Sequence, residues 1–347
     1  MSATGAAGLR RADEAGIAEA ARALLAGRLV VFPTETVYGL GADAASAEAI
    51  AAVYRLKGRP AGHPLIVHVS GARQARRWAV WSDLAERLTA AFWPGPLTLI
   101  LPRLPGAPAW ACGEQATIGL RAPAHPVAQT LLQAFEAGGG LGVAAPSANR
   151  FGRVSPTRAS HAIDDLGDEA PLVLDGGSCD LGLESTIIDL SRGGPALLRP
   201  GGLDAARIEA VLGMPLAGAG SDAPRASGTL AAHYAPRTPM ELLAADRIEP
   251  RLAVLAARGR RSVVWSRLRP GLAAQSGPAD PAGPAVVWER APDDVADYAH
   301  CLYDSLRRLD SLGLDRIVVE RPPDEPAWAA VADRLARAAA GAPAQDP

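Results

Sequence analysis

Apolar positions along the first two hundred residues alternate between short continuous runs and longer stretches with helical spacing. The runs at 29–32 and 65–69 are typical of buried strands, and residues 12–27 have the spacing of an amphipathic helix. A polar, glycine-bearing loop is predicted for 34–41. Further strands are predicted at 97–101, 116–121, 141–145, 171–174 and 185–190, and further helices at 46–57, 71–79, 82–92, 125–137, 157–164 and 203–212. This alternation predicts an α/β domain over 12–213 with a substantial sheet.

The pattern changes at residues 214–239, where Gly, Ala, Ser and Pro dominate and apolar periodicity is lost. Such a composition predicts a linker. Regular patterns then resume, with strands predicted at 251–256, 262–266, 285–289 and 316–319 and helices at 293–312 and 326–339. These elements predict a second, compact α/β domain over 240–340. The tail, 341–347, is expected to be disordered.

Composition narrows the class of protein. Hydrophobic residues make up 48% of the 347, charged residues 21%, and the net charge is −2, which is ordinary for a soluble protein and gives no overall positive field toward nucleic acid or membranes. No apolar run approaches the roughly 20 residues that span a bilayer, so no membrane association is expected. The three cysteines, Cys112, Cys179 and Cys301, are scattered, which argues against a disulfide framework or a zinc site. A cytoplasmic location is the expectation.

Two rare residues stand out from this composition. Of 35 basic residues only Lys57 is a lysine, and Asn149 is the single asparagine. An excess of Ala, Gly, Pro and Arg indicates GC-rich coding, which disfavours the codons of Lys and Asn. Because Lys is a compact point charge and Arg a planar fork, a retained lysine indicates a position that arginine cannot fill. The alternative is that each survived by chance.

Chemistry-bearing residues concentrate in the first domain. The segment KGRP (57–60) places two cations at the end of a predicted helix, where they either bind an anion or complement the helix dipole. The chain has no GxxxxGK[ST] phosphate loop, so a bound nucleotide would be held by scattered cations and hydroxyl groups. Further polar segments lie at or near predicted strand ends: AAPSAN (144–149), SPT (155–157), EST (184–186) and LRPGG (198–202). A Ser or Thr at any one strand end is typical of a turn or a cap. With KGRP, however, they make five such segments in one domain, which favours a lined concave site.

Taken together, these segments resemble the Sua5/YrdC family, in the family's order and nearly continuously over residues 12–212. The motifs that carry the resemblance are PTETVYGL (33–40), KGRP (57–60), PLIVH (64–68), WPGPLT (93–98), APSAN (145–149), SPT (155–157), ESTI (184–187) and LRPG (198–201). The dipeptide SG (227–228) and the tetrapeptide HYAP (233–236), followed by a second domain, resemble the longer Sua5-type form.

The resemblance implies a fold and an activity. The fold would be a twisted α/β sheet with a basic concave substrate cleft, followed by a small Rossmann-like α/β domain. The activity would be synthesis of L-threonylcarbamoyladenylate from L-threonine, bicarbonate and ATP with release of pyrophosphate. Downstream tRNA threonylcarbamoyl transferase machinery would then pass the group to adenosine 37 of tRNA. Mg²⁺ would accompany ATP, and no protein-bound metal is implied.

The resemblance also assigns residues to the two substrates. The threonine side would be lined by Thr36, His68, Arg121, Ser147 and Ser185. The ATP side would be lined by Lys57, Arg59, His63, Thr117, Ala145 through its backbone, Ser155 and Arg199. A guanidinium such as that of Arg121 is the natural bidentate partner of a carboxylate. His63 departs from the family, which usually has Asn there.

The linker leaves two readings open. It lacks the basic and aromatic residues that some members of the family place before HYAP. His233 and Tyr234 either belong to a lid that closes over the first domain's cleft and shields the adenylate from water, or Tyr234 anchors the packing of the second domain.

Two other functions compete with this hypothesis. A carbamoyl transferase of the hydrogenase-maturation type also contains a YrdC-like domain, but such chains carry Cys-rich zinc fingers and an acylphosphatase module. An RNA-binding module is the second alternative. The near-neutral net charge favours weak tRNA binding only as a secondary role.

Overall fold

A computed structural model describes residues 8–268 and 286–341 of the chain. Contacts divide it into two compact units. The first runs to Phe151 and includes Ser155–Thr229, and the second consists of Gly152–Val154 together with the chain from Leu230 onward. The segment predicted as a linker, 214–239, is therefore divided between the two units.

The first unit is built on an eleven-stranded mixed sheet within the described residues. Its strands are β1 (Leu9–Arg11), β2 (Val30–Phe32), β3 (Gly39–Asp43), β4 (Ile66–His68), β5 (Leu97–Pro102), β6 (Thr117–Arg121), β7 (Val143–Ala144), β8 (Leu172–Asp175), β9 (Thr186–Asp189), β10 (Ala196–Arg199) and β11 (Ala217–Gly218). Their order across the sheet is β1-β8-β2-β3-β7-β4-β6-β5-β9-β10-β11. The helices are α1 (Glu14–Leu25), α2 (Ala47–Lys57), α3 (Ala72–Ala75), α4 (Asp83–Phe92), α5 (Pro126–Ala137), α6 (Ala159–Leu166) and α7 (Ala205–Leu212).

Helical stripes bury the faces of this sheet. On α1, Ile17, Ala20 and Leu24 are spaced three and four residues apart and pack in one cluster with Leu131 and Phe135 of α5. Strand β2 is buried along its whole length, which explains its continuous apolar run. The predicted α/β fold class is confirmed.

One predicted loop is partly a strand. Residues 34–41 were expected to be a loop, but β3 begins at Gly39 and pairs antiparallel with β2. A side chain at Gly41 would lie 2.8 Å from the ring of Phe32, so this glycine permits close strand approach rather than a turn. In the sequence analysis, the glycines of this segment had indicated a loop.

A predicted helix is also shorter than expected. The helix predicted for 71–79 is limited to Ala72–Ala75, after which the chain continues in tight turns. Those turns bury Trp78, whose indole N–H donates to the carbonyl of Leu141 at 3.1 Å. Tertiary packing of Trp78 therefore overrides the helical pattern.

The second unit contains a four-stranded parallel sheet in the order β12-β15-β13-β14. Its strands are β12 (Met240–Leu243), β13 (Ser262–Ser266), β14 (Val286–Arg290) and β15 (Arg316–Glu320), and its helices are α8 (Ala245–Ala257), α9 (Val295–Ser311) and α10 (Ala329–Ala340). Parallel strands joined by helices agree with the Rossmann-like expectation. Of the tail predicted to be disordered, residues 342–347 lie outside the described residues.

The strand predicted at 251–256 is wrong, because these residues lie in helix α8. The buried residues Ile248, Leu252 and Leu255 are spaced four and three positions apart, which is the stripe of a helix packed on a sheet. The first strand of this unit is instead β12, immediately after the predicted linker.

Candidate active site

Helix α2 delivers Lys57 into the interior of the first unit. Ser46 caps the helix N-terminus, and Gly58 ends it in the left-handed region at a φ of 65°. The Lys57 ammonium is buried and donates to the backbone carbonyls of Ser147 and Asn149, each at 2.5 Å. Burial, with Arg59 nearby, holds the pKa of Lys57 well below its ordinary value. The two rare residues of the sequence thus meet in one contact.

Arg121 forms the centre of the predicted threonine side. It ends strand β6 and is buried. Its Nη1 donates to the hydroxyl of Thr36 at 2.8 Å, and its Nε donates to the carbonyl of Gly95 at 3.3 Å. Its Nη2 lies 2.7 Å from the carboxylate of Glu35. Thr36 and Glu35 thus contact Arg121 directly, and Thr34 is linked to Arg121 through Thr36, with which it shares a hydrogen bond of 2.8 Å.

His68 ends strand β4 and lies opposite Arg121 in the register of the parallel pair β4–β6. Both residues are therefore at the carboxyl edge of these strands, where polar groups of α/β sheets commonly bind ligands. Burial, together with the charge of Arg121, lowers the pKa of His68 to about 3. The imidazole is therefore neutral near pH 7 and can exchange hydrogen bonds with a hydroxyl group without forming an ion pair.

Ser185 and Arg199 connect the two predicted substrate sides. The hydroxyl of Ser185 shares a 2.7 Å hydrogen bond with Thr98, three residues beyond Gly95. Arg199 donates to the Ser185 carbonyl at 2.8 Å and, from its Nη1, to the carbonyl of Ser227 at 2.7 Å. A path of hydrogen bonds thus leads from Thr98 through Ser185 and Arg199 to Ser227, in the segment that was predicted as a linker.

Arg59 completes this path on the ATP side. Its Nη2 donates to the carbonyl of Pro64 at 2.9 Å and to the Ser227 hydroxyl at 3.3 Å. Its guanidinium lies 5.7 Å from the centre of the Phe151 ring, which His63 also contacts edge-on at 5.7 Å. Two arginines from distant parts of the chain, Arg59 and Arg199, therefore converge on Ser227.

The remaining predicted ATP residues have mixed surroundings. The Ser155 hydroxyl donates to the carboxylate of Glu184 at 2.6 Å. The N–H of Ala145 donates to the carbonyl of Ile66 at 3.0 Å, so a backbone contact to a ligand would use its own carbonyl. Thr117 begins β6 and is half-buried, and its Cα partner across the β5–β6 pair is Pro102.

The two residues predicted for a lid lie in the second unit. Tyr234 is buried, has a φ of 62°, and stacks on the ring of Tyr303 at 5.6 Å. The guanidinium of Arg334 lies 5.3 Å from the centre of the Tyr234 ring, and His233 contacts the Tyr234 ring edge-on at 4.1 Å between centroids. These contacts are those expected for an anchor of the second unit. The lid role stays a prediction.

Three residues near the site carried no assignment from the sequence. Glu35 contacts Arg121, Glu184 holds Ser155, and Ser227 receives both arginines. Each lies inside a motif that the sequence had already singled out. The signal that could have found Glu35 and Glu184 is their charge, since a carboxylate among buried residues requires a partner.

These features define an α/β protein with a buried, arginine-rich site along the sheet of its first unit. A family model described as "Telomere recombination" (Sua5_yciO_yrdC) matches residues 22–201, and one described as "Threonylcarbamoyl-AMP synthase, C-terminal domain" matches residues 203–340. The chain belongs to the Sua5/YciO/YrdC family.

Relatives are similar over almost the full length. The threonylcarbamoyl-AMP synthase of Pyrococcus abyssi is 36% identical, covering 94% of this chain and 95% of the relative. That of Bacillus subtilis is also 36% identical, covering 94% and 93%. The crystal structure of P. abyssi Sua5 complexed with L-threonine superposes with a TM-score of 0.84 at 36% identity, over 96% of each chain. Among the described residues, no helix combines the length and the apolar character needed to cross a bilayer.

Proposed function

We propose that this chain is an L-threonylcarbamoyladenylate synthase, a nucleotidyltransferase that joins L-threonine, bicarbonate and ATP and releases pyrophosphate. The product would serve formation of N6-threonylcarbamoyladenosine at position 37 of tRNA. The observation that carries the proposal is that Arg199 contacts both Ser185, on the predicted threonine side, and Ser227, which Arg59 also contacts on the predicted ATP side. Together with Arg121, this places three buried arginines in one unit. The names of the relatives support the same reaction.

The residues suit each part of this chemistry. Arg121 would bind the carboxylate of threonine with its planar fork. Neutral His68, with Thr36, would exchange hydrogen bonds with the threonine hydroxyl. The threonine amine combines with bicarbonate to give a carbamate and water. An oxygen of the carbamate then attacks the α-phosphorus of ATP and expels pyrophosphate. The protein contributes mainly position and charge neutralisation in such a displacement.

Arg59 and Arg199 would offset the charge of the triphosphate. We propose a less direct contribution for Lys57, whose ammonium is engaged by the carbonyls of Ser147 and Asn149. Mg²⁺ would enter bound to the triphosphate of ATP. Phosphate oxygens are ligands that Mg²⁺ prefers.

Product analysis tests the reaction directly. Purified chain incubated with ¹³C-bicarbonate, L-threonine and ATP should give an adenylate that contains threonine and one ¹³C atom, together with pyrophosphate. Mass spectrometry of the quenched mixture measures this product. Absence of the adenylate, with the protein folded, would reject the proposal. Carbamoyl phosphate supplied in place of bicarbonate and threonine should give no carbamoyl-adenylate; its formation would favour the maturation-type alternative.

A binding measurement separates the RNA alternative. We expect any tRNA affinity to be weak and to fall steeply with salt, as for contacts to phosphates. Tight tRNA binding by a chain that makes no adenylate would favour an RNA-binding module.

A further inference from the structure

Glu35 is a buried carboxylate to which the sequence motifs assigned no role. Its side chain keeps 7% of its exposure, and Oε1 lies 2.7 Å from Nη2 of Arg121. Within the described residues, neither carboxylate oxygen accepts a hydrogen bond of acceptable geometry. An ionised carboxylate has about four acceptor positions, and buried carboxylates normally fill several of them. Glu35 therefore retains acceptor capacity inside the predicted threonine side.

The contacts of Arg121 show how a ligand can share this pair. A guanidinium has five N–H donors. The protein engages Arg121 through the Gly95 carbonyl, the Thr36 hydroxyl and the Glu35 carboxylate. Donors on the terminal nitrogens therefore remain for a second carboxylate. A ligand carboxylate bound there would lie near Glu35, and the two negative charges would repel each other unless the ligand brings a positive charge.

Other ionisable groups near Glu35 do not supply that positive charge near neutral pH. Burial lowers the pKa of His125 and raises that of the Cys179 thiol, and both groups are therefore uncharged at pH 7. Asp180, which also acts on both of these groups, adds negative charge. A zwitterion fits this arrangement, because only one carbon separates the ammonium of an α-amino acid from its carboxylate.

We propose that Glu35 binds the ammonium group of threonine and thereby selects an α-amino acid. Arg121 binds the ligand carboxylate, Glu35 accepts hydrogen bonds from the ammonium, and the four charges alternate in sign around the contact. The inference rests on the proposed function, which supplies L-threonine as the ligand. It assigns Glu35 a direct contact with substrate at the nitrogen that becomes the carbamate.

The competing role is purely structural, with Glu35 serving only to orient Arg121. The two roles differ in their dependence on the ligand amine. An orienting residue supports every ligand that uses Arg121, whether or not the ligand has an amine. A residue that binds the ammonium supports only ligands that carry one.

Calorimetric titration of the full chain separates the two roles. The probes are L-threonine and the 2,3-dihydroxybutanoate of matching configuration, in which a hydroxyl replaces the amine. We expect Glu35→Gln to weaken L-threonine binding about 10- to 100-fold, as for loss of a charge-assisted hydrogen bond. The affinity for the amine-free analogue should not fall, and it should rise to the extent that Glu35 repels the analogue's carboxylate. Glu35→Asp, which keeps the charge, should recover part of the threonine affinity. Glu48→Gln, the same substitution on the exposed face of α2, is the matched control.

Equal weakening of both ligands by Glu35→Gln would assign the residue an orienting role and overturn the inference, as would unchanged threonine binding. If the analogue binds wild type too weakly to titrate, the threonine affinities of the Gln and Asp variants decide, and an Asp variant as weak as Gln counts against the inference. Circular dichroism establishes that each variant is folded. The proposed function is tested independently of Glu35. It fails if the wild-type chain binds L-threonine but makes no adenylate.

Discussion

The ammonium of Lys57 and the backbone carbonyl of Ser147 are 2.5 Å apart, although 90 residues separate them in the sequence. The same ammonium holds the carbonyl of Asn149, and the backbone N–H of Phe151 donates to the Lys57 carbonyl at 2.8 Å. The end of helix α2 is thus joined to the segment 147–151 at three points. Lys57 positions the loop that carries Ser147, a residue predicted for the threonine side.

Replacement of the lysine should therefore disturb the loop. We expect Lys57→Arg to lower adenylate formation substantially, because a planar fork cannot reach two converging carbonyls as a compact ammonium does. Lys57→Ala should lower it further, since two buried carbonyls lose their donor at a cost of about 1–3 kcal/mol each. Steady-state rates with both substrates varied measure the effect, and Arg55→Ala on the exposed side of α2 is the control. Near-normal turnover in both Lys57 variants would mean that the single lysine is an accident of composition.

Arg121 should govern the threonine requirement more than the ATP requirement. Loss of a charged partner of the carboxylate costs about 2–3 kcal/mol, which corresponds to about 30- to 150-fold in the KM for threonine. Arg121→Ala also leaves Glu35 buried without its cation, which costs about 3–5 kcal/mol of stability. Arg121→Lys keeps a positive charge beside Glu35 but lacks the planar guanidinium that binds a carboxylate through two N–H groups. It is therefore the variant to use for the kinetic measurement. An unchanged threonine KM in a folded Arg121→Lys chain would move the pocket elsewhere.

His68 should make the fold sensitive to acid. Its pKa is about 3 in the folded chain and near 6.5 when unfolded, so between these values the unfolded chain binds a proton that the folded chain does not. Stability attributable to His68 is therefore intact above pH 6.5 and falls by up to about 1.4 kcal/mol per pH unit below it. His68→Gln removes this dependence. Urea unfolding midpoints of wild type and His68→Gln are measured at pH 7.5, 6 and 5. As the pH falls, the midpoint of wild type should drop toward, or below, that of His68→Gln. The exposed His300→Gln is the control, and parallel curves for wild type and His68→Gln would contradict the prediction.

The chain after Gly213 should be required on the ATP side, because Ser227 receives Arg59 and Arg199. A chain ending at Gly213 loses this residue, whereas one ending at Thr229 keeps the first unit complete. We expect the shorter form to bind L-threonine but to make little adenylate, and the longer form to make more. Calorimetry and product yield measure the two properties. Full-length rate and yield from the shorter form, well folded, would show that residues 214–229 are only a connector.

Tyr234 should act first on the stability of the second unit. Its ring is buried against Tyr303 and Arg334, so Tyr234→Ala should cost about 3–5 kcal/mol, as for other large-to-small changes in a core. Thermal unfolding followed by circular dichroism measures the loss. The lid hypothesis predicts in addition a lower adenylate yield at a temperature where the second unit of the variant remains folded. An unchanged yield there would leave Tyr234 with its packing role alone.

Sequence patterns were sufficient where one element's own residues determine its structure. The buried run of β2 and the stripe of α1 follow from local spacing, and the α/β class follows from their alternation. They failed at β3, where Gly41 fits against Phe32, and at α8, whose apolar residues allow either a helix or a strand. In the candidate site, the residue types were predictable but the pairings were not. Arg59 and Ser227 are 168 positions apart, and such a contact depends on the whole sheet.

Because Lys57 is the only lysine and its side chain is buried, acylation by an amine-reactive reagent at this position reports on motion. The reagent reaches the amine only when the segment 147–149 moves away from the end of helix α2. The ratio of the observed labelling rate to that of a free amine then gives the fraction of molecules in the opened state. The mass increment on the peptide that contains Lys57, read with and without substrates and apart from labelling of the α-amino group, would measure how far each ligand suppresses that opening.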